Sequence, residues 1–484
     1  MEVTSEIPNL DNYKILPEGG RSSYFYTSYL VNKGWLPKNK KFHLNNVPLC
    51  TLNKNHVQKW YLVVKDNQDF DKTLDAFLKN PKLFDELEKY GKDIVKKLVK
   101  AIKAKEISSL SSEKLILLFK LFCKQFEKSL PIARGMRFID RAIIIKLREI
   151  LKNEPNVDEA VANSCASERL TFPMQEEIAL LETAIKIKKE NIQLNSNKAD
   201  KLISHLLDKY AWTTCGYYHE GHRTKEIYLQ KLNDLIKENP QKHLEEIKSR
   251  LNESIKKRDV LIRKYSNSAD IIKIAGLAGY FKDYYKSTNN EIVYYGESLF
   301  QEISKRTDKP IEFLKDLHPN ELIDLINGKS VDESKIVERV KRYALLNLGN
   351  KFFVLSGREA EEFEAKYLKS EEINRSEFKG RAASRGYAKG RAKIVLNQKE
   401  FNKMEKGDIL VVINTSPDFV PIMKKASAII ADEGGLTSHT SVVSREFGIP
   451  CIVGIHNITQ MLKDNDLIEV DANKGTVKVL EKAK

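Results

Sequence analysis

The sequence predicts a mostly α-helical N-terminal body followed by a C-terminal α/β domain. Apolar residues recur at helical spacing over most of the stretch from about 70 to 370. After about residue 378, glycines become frequent and short β-branched runs replace the long amphipathic ones. A polar, acid-rich segment, EAEEFEAKYLKSEEINRSEF (359–378), separates the two patterns. We therefore predict a body at 1–364, a linker at 365–377 and a second domain at 378–484.

Within the body, residues 1–65 form a mixed segment in which RSSYFYTSYLVNKGWLP (21–37) and QKWYLVVKD (58–66) are typical of short strands. The following helices are exemplified by EKLILLFKLFCKQFEKSL (113–130). At 3.6-residue spacing this stretch places five apolar side chains on one broad face, namely Leu115, Leu118, Phe119, Phe122 and Phe126. A later helix, HPNELIDLING (318–328), ends in a glycine suited to a C-terminal cap.

The C-terminal domain alternates short apolar runs with turns. The predicted strands are GRAKIVL (390–396), GDILVVINT (407–415), ASAIIADE (426–433), PCIVGI (450–455) and DLIEVDANKGTVKVL (466–480). A short helix, TSVVSREFG (440–448), lies between the third and fourth runs. This order indicates a small α/β domain.

Composition indicates a cytoplasmic protein. The five cysteines are scattered without a CxxC spacing, as expected for reduced thiols. The N-terminus has no signal-peptide pattern, and no apolar run reaches the roughly 18 residues of a membrane span. The formal charge is +15, but the lysines are interspersed with acids, as in KLFDELEKYGKDIVKKLVKAIKAKE (82–106). Such dispersal is typical of a solvated helix face, so nucleic-acid binding is the less favoured interpretation.

The most distinctive stretch is GGLTSHTSVVSREFGIPCIVG (434–454). Gly434 and Gly435 permit a tight turn after a strand, and Thr437 or Ser438 can then cap a helix. His439 is thereby placed in the first helical turn, beside free backbone N–H groups and the positive end of the helix dipole.

Such a position is an anion site and favours a neutral, nucleophilic imidazole. An ordinary helix cap remains the alternative from spacing alone. The buried face of this helix is predicted to consist of Val442, Val443 and Phe447.

The stretch 434–454 resembles the active-site signature of the phosphoenolpyruvate-utilising enzymes, which include phosphoenolpyruvate synthase, pyruvate phosphate dikinase and rifampicin phosphotransferase. The resemblance implies that His439 is transiently phosphorylated and lies on a swivelling β/β/α domain. It also implies a set of residues that contact the phosphoryl group: Thr437, Ser438, Gly434, Gly435 and Arg445. Thr440 stands where alanine is common in the family, a departure that should be tolerated.

Three flanking stretches resemble the rest of the same domain: FKGRAASRGYAKGRAKIV (378–395), KGDILVVINTSPDFVPIMKKASAIIADEGG (406–435) and GIHNITQMLKDNDLIEVDANKGTVKVL (454–480). Complete family members carry an ATP-grasp domain, but residues 1–370 lack its strand-rich pattern and its glycine-rich phosphate loop. The GKS at 328–330 does not complete such a loop, because Ile323 stands where a glycine is required.

We therefore expect an ATP-grasp protein to act in trans, with Mg²⁺ and ATP held by that partner subunit and no tightly bound cofactor in this chain. The chain stops directly after the histidine domain, so the barrel that binds phosphoenolpyruvate or pyruvate is expected to be absent.

The helical body resembles more weakly the middle domain of the rifampicin phosphotransferase-like group, in LLDKYAWTTCGYYHEGHRTKEIYLQKL (206–232) and VERVKRYALLNLGNKFFVLSGREAEEF (337–363). That resemblance implies a site for a small-molecule phosphoryl acceptor, and the residues expected there are Tyr218, His219 and His222. Cys215, His219 and His222 supply only three candidate zinc ligands, so we expect no metal site. Ordinary loop packing is the alternative for these residues.

Together these features predict a phosphotransferase component, in which phosphorylated His439 passes its phosphoryl group to an acceptor bound by the helical domain. A non-catalytic phosphohistidine relay or regulatory protein is the alternative. A basic helical nucleic-acid-binding protein that carries a relic histidine domain is the third, least favoured hypothesis. The donor, ATP or phosphoenolpyruvate, is left open.

Overall fold

The structure is a computed structural model of the 484-residue chain. It describes all residues except 1, 5, 11–13, 23–48, 55–56, 65–68, 105, 216–221, 349–350, 369–376, 397, 416–418, 436–437, 456–457 and 484. The chain forms two compact units. The first comprises residues 1–13, 22–56 and 63–360, and the second comprises 14–21, 57–62 and 361–484.

The first unit is mainly helical, as predicted. Its helices are α1 (Asp69–Lys79), α2 (Leu83–Lys103), α3 (Ser112–Ile150), α4 (Val157–Ser164), α5 (Phe172–Lys189), α6 (Asn197–Tyr210), α7 (Lys225–Lys237), α8 (Pro240–Lys264), α9 (Ala269–Thr307), α10 (Ile311–Lys315), α11 (Pro319–Ile326) and α12 (Glu333–Lys341). Residues with short polar side chains cap the N-termini of several of these helices. The Ser111 hydroxyl, for example, accepts a hydrogen bond from Lys114 N in the first turn of α3. Gly328, with a φ of +78°, follows α11 as the sequence predicts.

The two longest helices, α3 and α9, pack against each other in opposite directions. Ser129 on α3 pairs with Asn289 on α9. Two helical turns away, Gly296 on α9 faces Phe122 on α3. A side chain at Gly296 would lie 2.3 Å from the Phe122 ring, so the close approach of the helices depends on that glycine. All five apolar residues predicted to share one face of α3 are buried in this core. The helix and the buried face predicted for 113–130 are therefore confirmed.

Strands also contribute to the N-terminal region: β1 (Glu2–Thr4), β2 (Lys14–Ser22), β3 (Leu49–Lys54) and β4 (Val57–Val64). β4 confirms the strand predicted at 58–66 as far as residue 64; residues 65 and 66 lie outside the described residues. The strand predicted at 21–37 lies outside the described residues, apart from Arg21 and Ser22 at the end of β2.

The stretch predicted as helical before the linker contains a hairpin instead. Its strands are β5 (Arg342–Leu348) and β6 (Lys351–Ser356), which pair antiparallel, while β1 pairs with β6 and β3 with β5. Tyr343 and Leu345 belong to the helical core, while Ala344 and Leu346, on the opposite face, are also buried. Because both faces are covered, the polar alternation that marks a strand is missing from the sequence.

The second unit includes the end of α13 (Gly357–Tyr367), which crosses the unit boundary after residue 360 and ends inside the predicted linker. Its strands are β7 (Glu377–Lys379), β8 (Arg381–Ser384), β9 (Tyr387–Ile394), β10 (Ile409–Val412), β11 (Ala428–Ala431), β12 (Cys451–Val453), β13 (Leu467–Asp471) and β14 (Thr476–Glu481). Each predicted C-terminal run thus contains a strand, with different bounds: β9 begins three residues earlier than predicted, and the run 466–480 forms the hairpin β13–β14. The division at 364, 377 and 378 stays a prediction.

The strands join in the order β7-β14-β13-β9-β10-β11-β12-β8. The centre, β9-β10-β11-β12, is parallel, and the flanking pairs are antiparallel. Leu410 and Ile429 face one core, whereas Ile409 and Ile430 face another on the opposite side of the sheet. Both faces are therefore buried, which explains why these strands read as unbroken apolar runs.

The described part of this unit also contains the short helices α14 (Val420–Met423), α15 (His439–Glu446) and α16 (Ile458–Met461), and a 3-10 helix at Gln398–Lys403. In the part of the chain that the structure describes, no helix is both long and apolar enough to cross a membrane.

Candidate functional site: the histidine loop

The glycine turn after β11 has the conformation that the sequence predicts. Gly434 has a φ of +125°, a region that favours glycine. A Cβ atom there would lie 2.9 Å from the Ser438 hydroxyl. Gly435 is less constrained, because a Cβ atom on it would meet open space. Gly434 is thus the residue that lets the turn fold back onto the start of α15.

Ser438 is the N-cap of α15. Its backbone is extended (φ −69°, ψ 156°), and its hydroxyl accepts a hydrogen bond from Ser441 N at 3.3 Å. The Ser441 hydroxyl in turn donates to the Gly435 carbonyl at 2.7 Å, and Ser438 N donates to the same carbonyl at 2.9 Å. These bonds fasten the turn to the helix. Thr437, the other predicted cap, lies outside the described residues.

The backbone of His439 begins α15, which is eight residues long. The N–H groups of a first helical turn have no partner inside the helix and carry the positive end of its dipole. His439 therefore begins the helix as the sequence predicts. That this position binds an anion stays a prediction.

The buried face of α15 differs from the prediction. Val443 is buried, but Val442 and Phe447 are each 39% exposed, so these two assignments were wrong. The buried face is built mainly from hydroxyl residues, because small side chains let the helix lie close to the strands. Thr440 and Ser444 belong to it: the Thr440 hydroxyl lies 2.9 Å from that of Thr415, and the Ser444 hydroxyl donates to the Thr440 carbonyl at 2.7 Å.

Arg445 lies six residues after His439, about 9 Å along the helix axis. Its Nη1 donates to the Ala383 carbonyl at 3.2 Å, which ties the last turn of α15 to β8. Burial lowers the pKa of its guanidinium. Contact between Arg445 and a phosphoryl group stays a prediction, and so do the contacts predicted for Gly434, Gly435 and Ser438.

Sequence reasoning missed Asp432, which directly precedes this turn. Its carboxylate is buried and accepts two hydrogen bonds from Thr459, at 2.8 Å from the backbone nitrogen and 2.7 Å from the hydroxyl. Burial raises the pKa of Asp432 to about 7, although the bonds from Thr459 act in the opposite direction. The sequence signal was the acidic pair Asp432-Glu433 ahead of two glycines.

Comparisons with known proteins identify this region. A family model described as PEP-utilising enzyme, mobile domain, matches residues 404–475. The C-terminal region contains a PEP-utilising mobile domain. The prediction of the family from 434–454 is therefore confirmed.

Curated relatives match the same end of the chain. A probable phosphoenolpyruvate synthase of Methanothermobacter thermautotrophicus is 52% identical over 110 residues, which cover 23% of this chain and 16% of that protein. A probable phosphoenolpyruvate synthase of Archaeoglobus fulgidus is 40% identical over 171 residues, 35% of this chain and 22% of that protein. An uncharacterized phosphotransferase of Bacillus subtilis, YvkC, is 36% identical over 124 residues, 26% and 15% respectively. The chain thus spans at most 22% of the length of these relatives.

Outside the mobile domain, the residues expected around an acceptor lie in the helical unit. His222 is exposed, and its ring meets that of Tyr294 edge to face with centroids 5.7 Å apart. Tyr218 and His219 lie outside the described residues. Burial raises the pKa of the Cys215 thiol to about 12, so at neutral pH it is not a thiolate. Among the described residues, no group of three or more His, Cys, Asp and Glu side chains could hold a metal ion.

A buried ion pair supports the segment that leads to His222. Glu176 and Arg223, each with a 5% exposed side chain, pair at 2.8 Å. The Thr213 hydroxyl donates to the second carboxylate oxygen at 2.6 Å, and the Tyr228 hydroxyl donates to the first at 3.1 Å. Because the carboxylate has several donors, the cost of burying it is offset. The network fixes both ends of the segment 213–223.

Proposed function

We propose that this protein is a phosphotransferase component in which His439 is transiently phosphorylated and then phosphorylates a small molecule bound by the helical unit. The observation that supports this most directly is the position of His439. It begins a capped helix behind a glycine turn, inside the region that matches the mobile-domain family. The phosphoenolpyruvate synthases among the relatives support the phosphotransferase class.

In the first half-reaction a ring nitrogen of neutral His439 attacks the donor phosphorus. A P–N bond forms, the P–O bond to the leaving group breaks, and the leaving oxygen takes the electron pair. The first-turn N–H groups of α15 favour the negative charge of the bound phosphoryl group. The Ser438 cap orients these donors before the reaction.

In the second half-reaction an acceptor hydroxyl attacks the same phosphorus. A new P–O bond forms, and the electron pair of the P–N bond returns to the imidazole. The hydroxyl proton passes to a base, for which exposed His222 is our candidate. Splitting the transfer lets each half-reaction use its own preorganised site, provided that the mobile domain swivels between them.

The donor site belongs in this proposal to a second polypeptide of the ATP-grasp type. Mg²⁺ with ATP would be bound there and would neutralise the phosphates. We assign no metal ligand to this chain.

The proposal is tested without the natural partner by phosphoramidate, a chemical donor that phosphorylates imidazoles. We expect His439 to be modified at least tenfold faster than exposed His222 and partly buried His243, as measured by peptide mass spectrometry. The adduct should be acid-labile and base-stable, and it should disappear in His439→Ala but persist in the control His243→Ala. Equal rates at the three histidines would contradict the proposal.

A further inference from the structure

Four polar side chains are buried where α3 and α9 pack together. Gln125 and Ser129 on α3, and Asn289 and Asn290 on α9, are each at most 4% exposed. The Ser129 hydroxyl donates to Asn289 Oδ1 across the two helices. Gln125 lies four residues before Ser129 and therefore on the same face of α3. We call these four residues the interhelical polar cluster.

Two atoms of the interhelical polar cluster lack partners. Among the described residues, neither Gln125 Nε2 nor Asn290 Oδ1 has a hydrogen-bond partner. A buried donor or acceptor without a partner costs free energy, and folded proteins keep few of them. Ligand hydroxyls could satisfy either atom, because a hydroxyl accepts from an amide N–H and donates to an amide oxygen.

The cluster adjoins the segment that contains the expected acceptor residues. Asn290 Nδ2 donates to the Thr213 carbonyl at 3.1 Å. Tyr294, one turn further along α9, meets His222. Asn290 and Tyr294 thus contact the two ends of the segment that the Glu176–Arg223 pair fixes. Asn290 and Tyr294, which contacts His222, therefore lie on one face of α9.

The surroundings of the cluster favour an uncharged ligand. Its own members are amides and a hydroxyl. An anionic group would lose its hydration among these uncharged side chains, whereas a neutral polyol could exchange its hydration for hydrogen bonds to them. The Tyr294 ring suits the apolar face of a sugar or nucleoside.

We propose that the interhelical polar cluster binds a neutral, hydroxyl-bearing small molecule of the polyol, sugar or nucleoside class. That this molecule is the phosphoryl acceptor rests on the proposed function; the binding itself does not. Gln125 and Asn290 orient the ligand, and His222 receives the proton of the reacting hydroxyl.

Binding is tested by calorimetry on full-length His439→Ala with four probes: myo-inositol, ribose, uridine and adenosine, each beside its monophosphate. We expect saturable binding of at least one neutral probe and at least tenfold weaker binding of its phosphate. Gln125→Met should weaken the binding about tenfold, whereas the control Gln241→Met, on the exposed side of α8, should leave it unchanged. Failure of all four neutral probes would overturn the assignment.

Stability gives a second, ligand-free test. Gln125→Met conserves volume and removes a buried amide nitrogen that has no partner among the described residues, so we expect Tm to rise by about 2 °C. Ser129→Ala removes a paired hydroxyl and should lower Tm. A lower Tm in Gln125→Met would give its amide a structural role and overturn the proposal.

The proposed function and the proposed ligand site can be refuted independently of each other. Because binding is measured in a variant that lacks His439, loss of binding with intact phosphorylation of the unsubstituted protein refutes only the acceptor site. Binding without any phosphorylation of His439 refutes only the proposed function.

Discussion

Both carboxylate oxygens of Asp432 accept a hydrogen bond from Thr459, one from its backbone nitrogen and one from its hydroxyl. The pair links the end of β11 to the start of α16 and so fixes the chain two residues before Gly434. Gly434 in turn packs on Ser438, the cap of the helix that His439 begins. Asp432 therefore positions the histidine loop from inside the domain.

The raised pKa of Asp432 predicts how stability depends on pH. Folded Asp432 titrates near pH 7 rather than 3.8, so between these values the folded state holds a proton that the unfolded state releases. Stability therefore falls as pH rises through this window, by roughly 4 kcal/mol in total. Asp432→Asn should abolish this fall, so the Tm of the variant relative to the unsubstituted protein should rise between pH 5 and pH 8. The control Glu446→Gln, on the exposed side of α15, should follow the unsubstituted protein, and parallel curves for Asp432→Asn would contradict the prediction.

Adjacent glycines give a matched test of the turn. Gly434→Ala places a Cβ atom 2.9 Å from the Ser438 hydroxyl at a φ of +125°, so we expect it to destabilise the domain by about 1–3 kcal/mol and to slow phosphorylation of His439. In Gly435→Ala the added Cβ atom has no neighbour within 4 Å, so we expect the free energy of unfolding to change by less than about 0.5 kcal/mol. Chemical denaturation and phosphoramidate labelling measure the two effects. Similar losses in both variants would show that the turn does not depend on Gly434.

The sequence allowed the local features to be predicted well. Leu115 and Phe122 mark a helix and its buried face by spacing alone, and the apolar run 428–431 marks a buried strand. Turn and cap preferences predict the backbone around His439, because the glycine pair and Ser438 lie within five residues of it. Features of this kind depend on interactions within a few residues.

Contacts between distant segments could not be predicted. Asp432 meets Thr459 because β11 and β12 are neighbours in the sheet, and Glu176 meets Arg223 across 47 residues. Neither pairing leaves a periodic signal. The hairpin that contains Tyr343 was missed for another reason: both of its faces are buried, so its pattern does not distinguish strand from helix.

The buried pair Glu176–Arg223 should be essential to the helical unit. Glu176→Gln leaves the Arg223 guanidinium buried without its counter-charge, so we expect a loss of roughly 3–5 kcal/mol in the free energy of unfolding. Asp200→Asn, which removes the exposed partner of Lys225, is the control and should cost less than about 1 kcal/mol. Urea denaturation compares the two. Equal effects would mean that the buried network does not hold the segment that leads to His222.

The last prediction concerns the phosphoryl donor. Residues 69–360 fold mainly as helices, and the GKS at 328–330 follows α11 without a phosphate-binding loop, so the helical unit is expected to lack an ATP site. The purified chain should then show no saturable ATP binding by calorimetry and no phosphorylation of His439 from labelled ATP. Both should appear when an ATP-grasp protein is added, and His439→Ala should abolish only the phosphorylation. Micromolar ATP binding by the isolated chain, lost on substitution within the helical unit, would place the donor site in this protein and end the need for a partner.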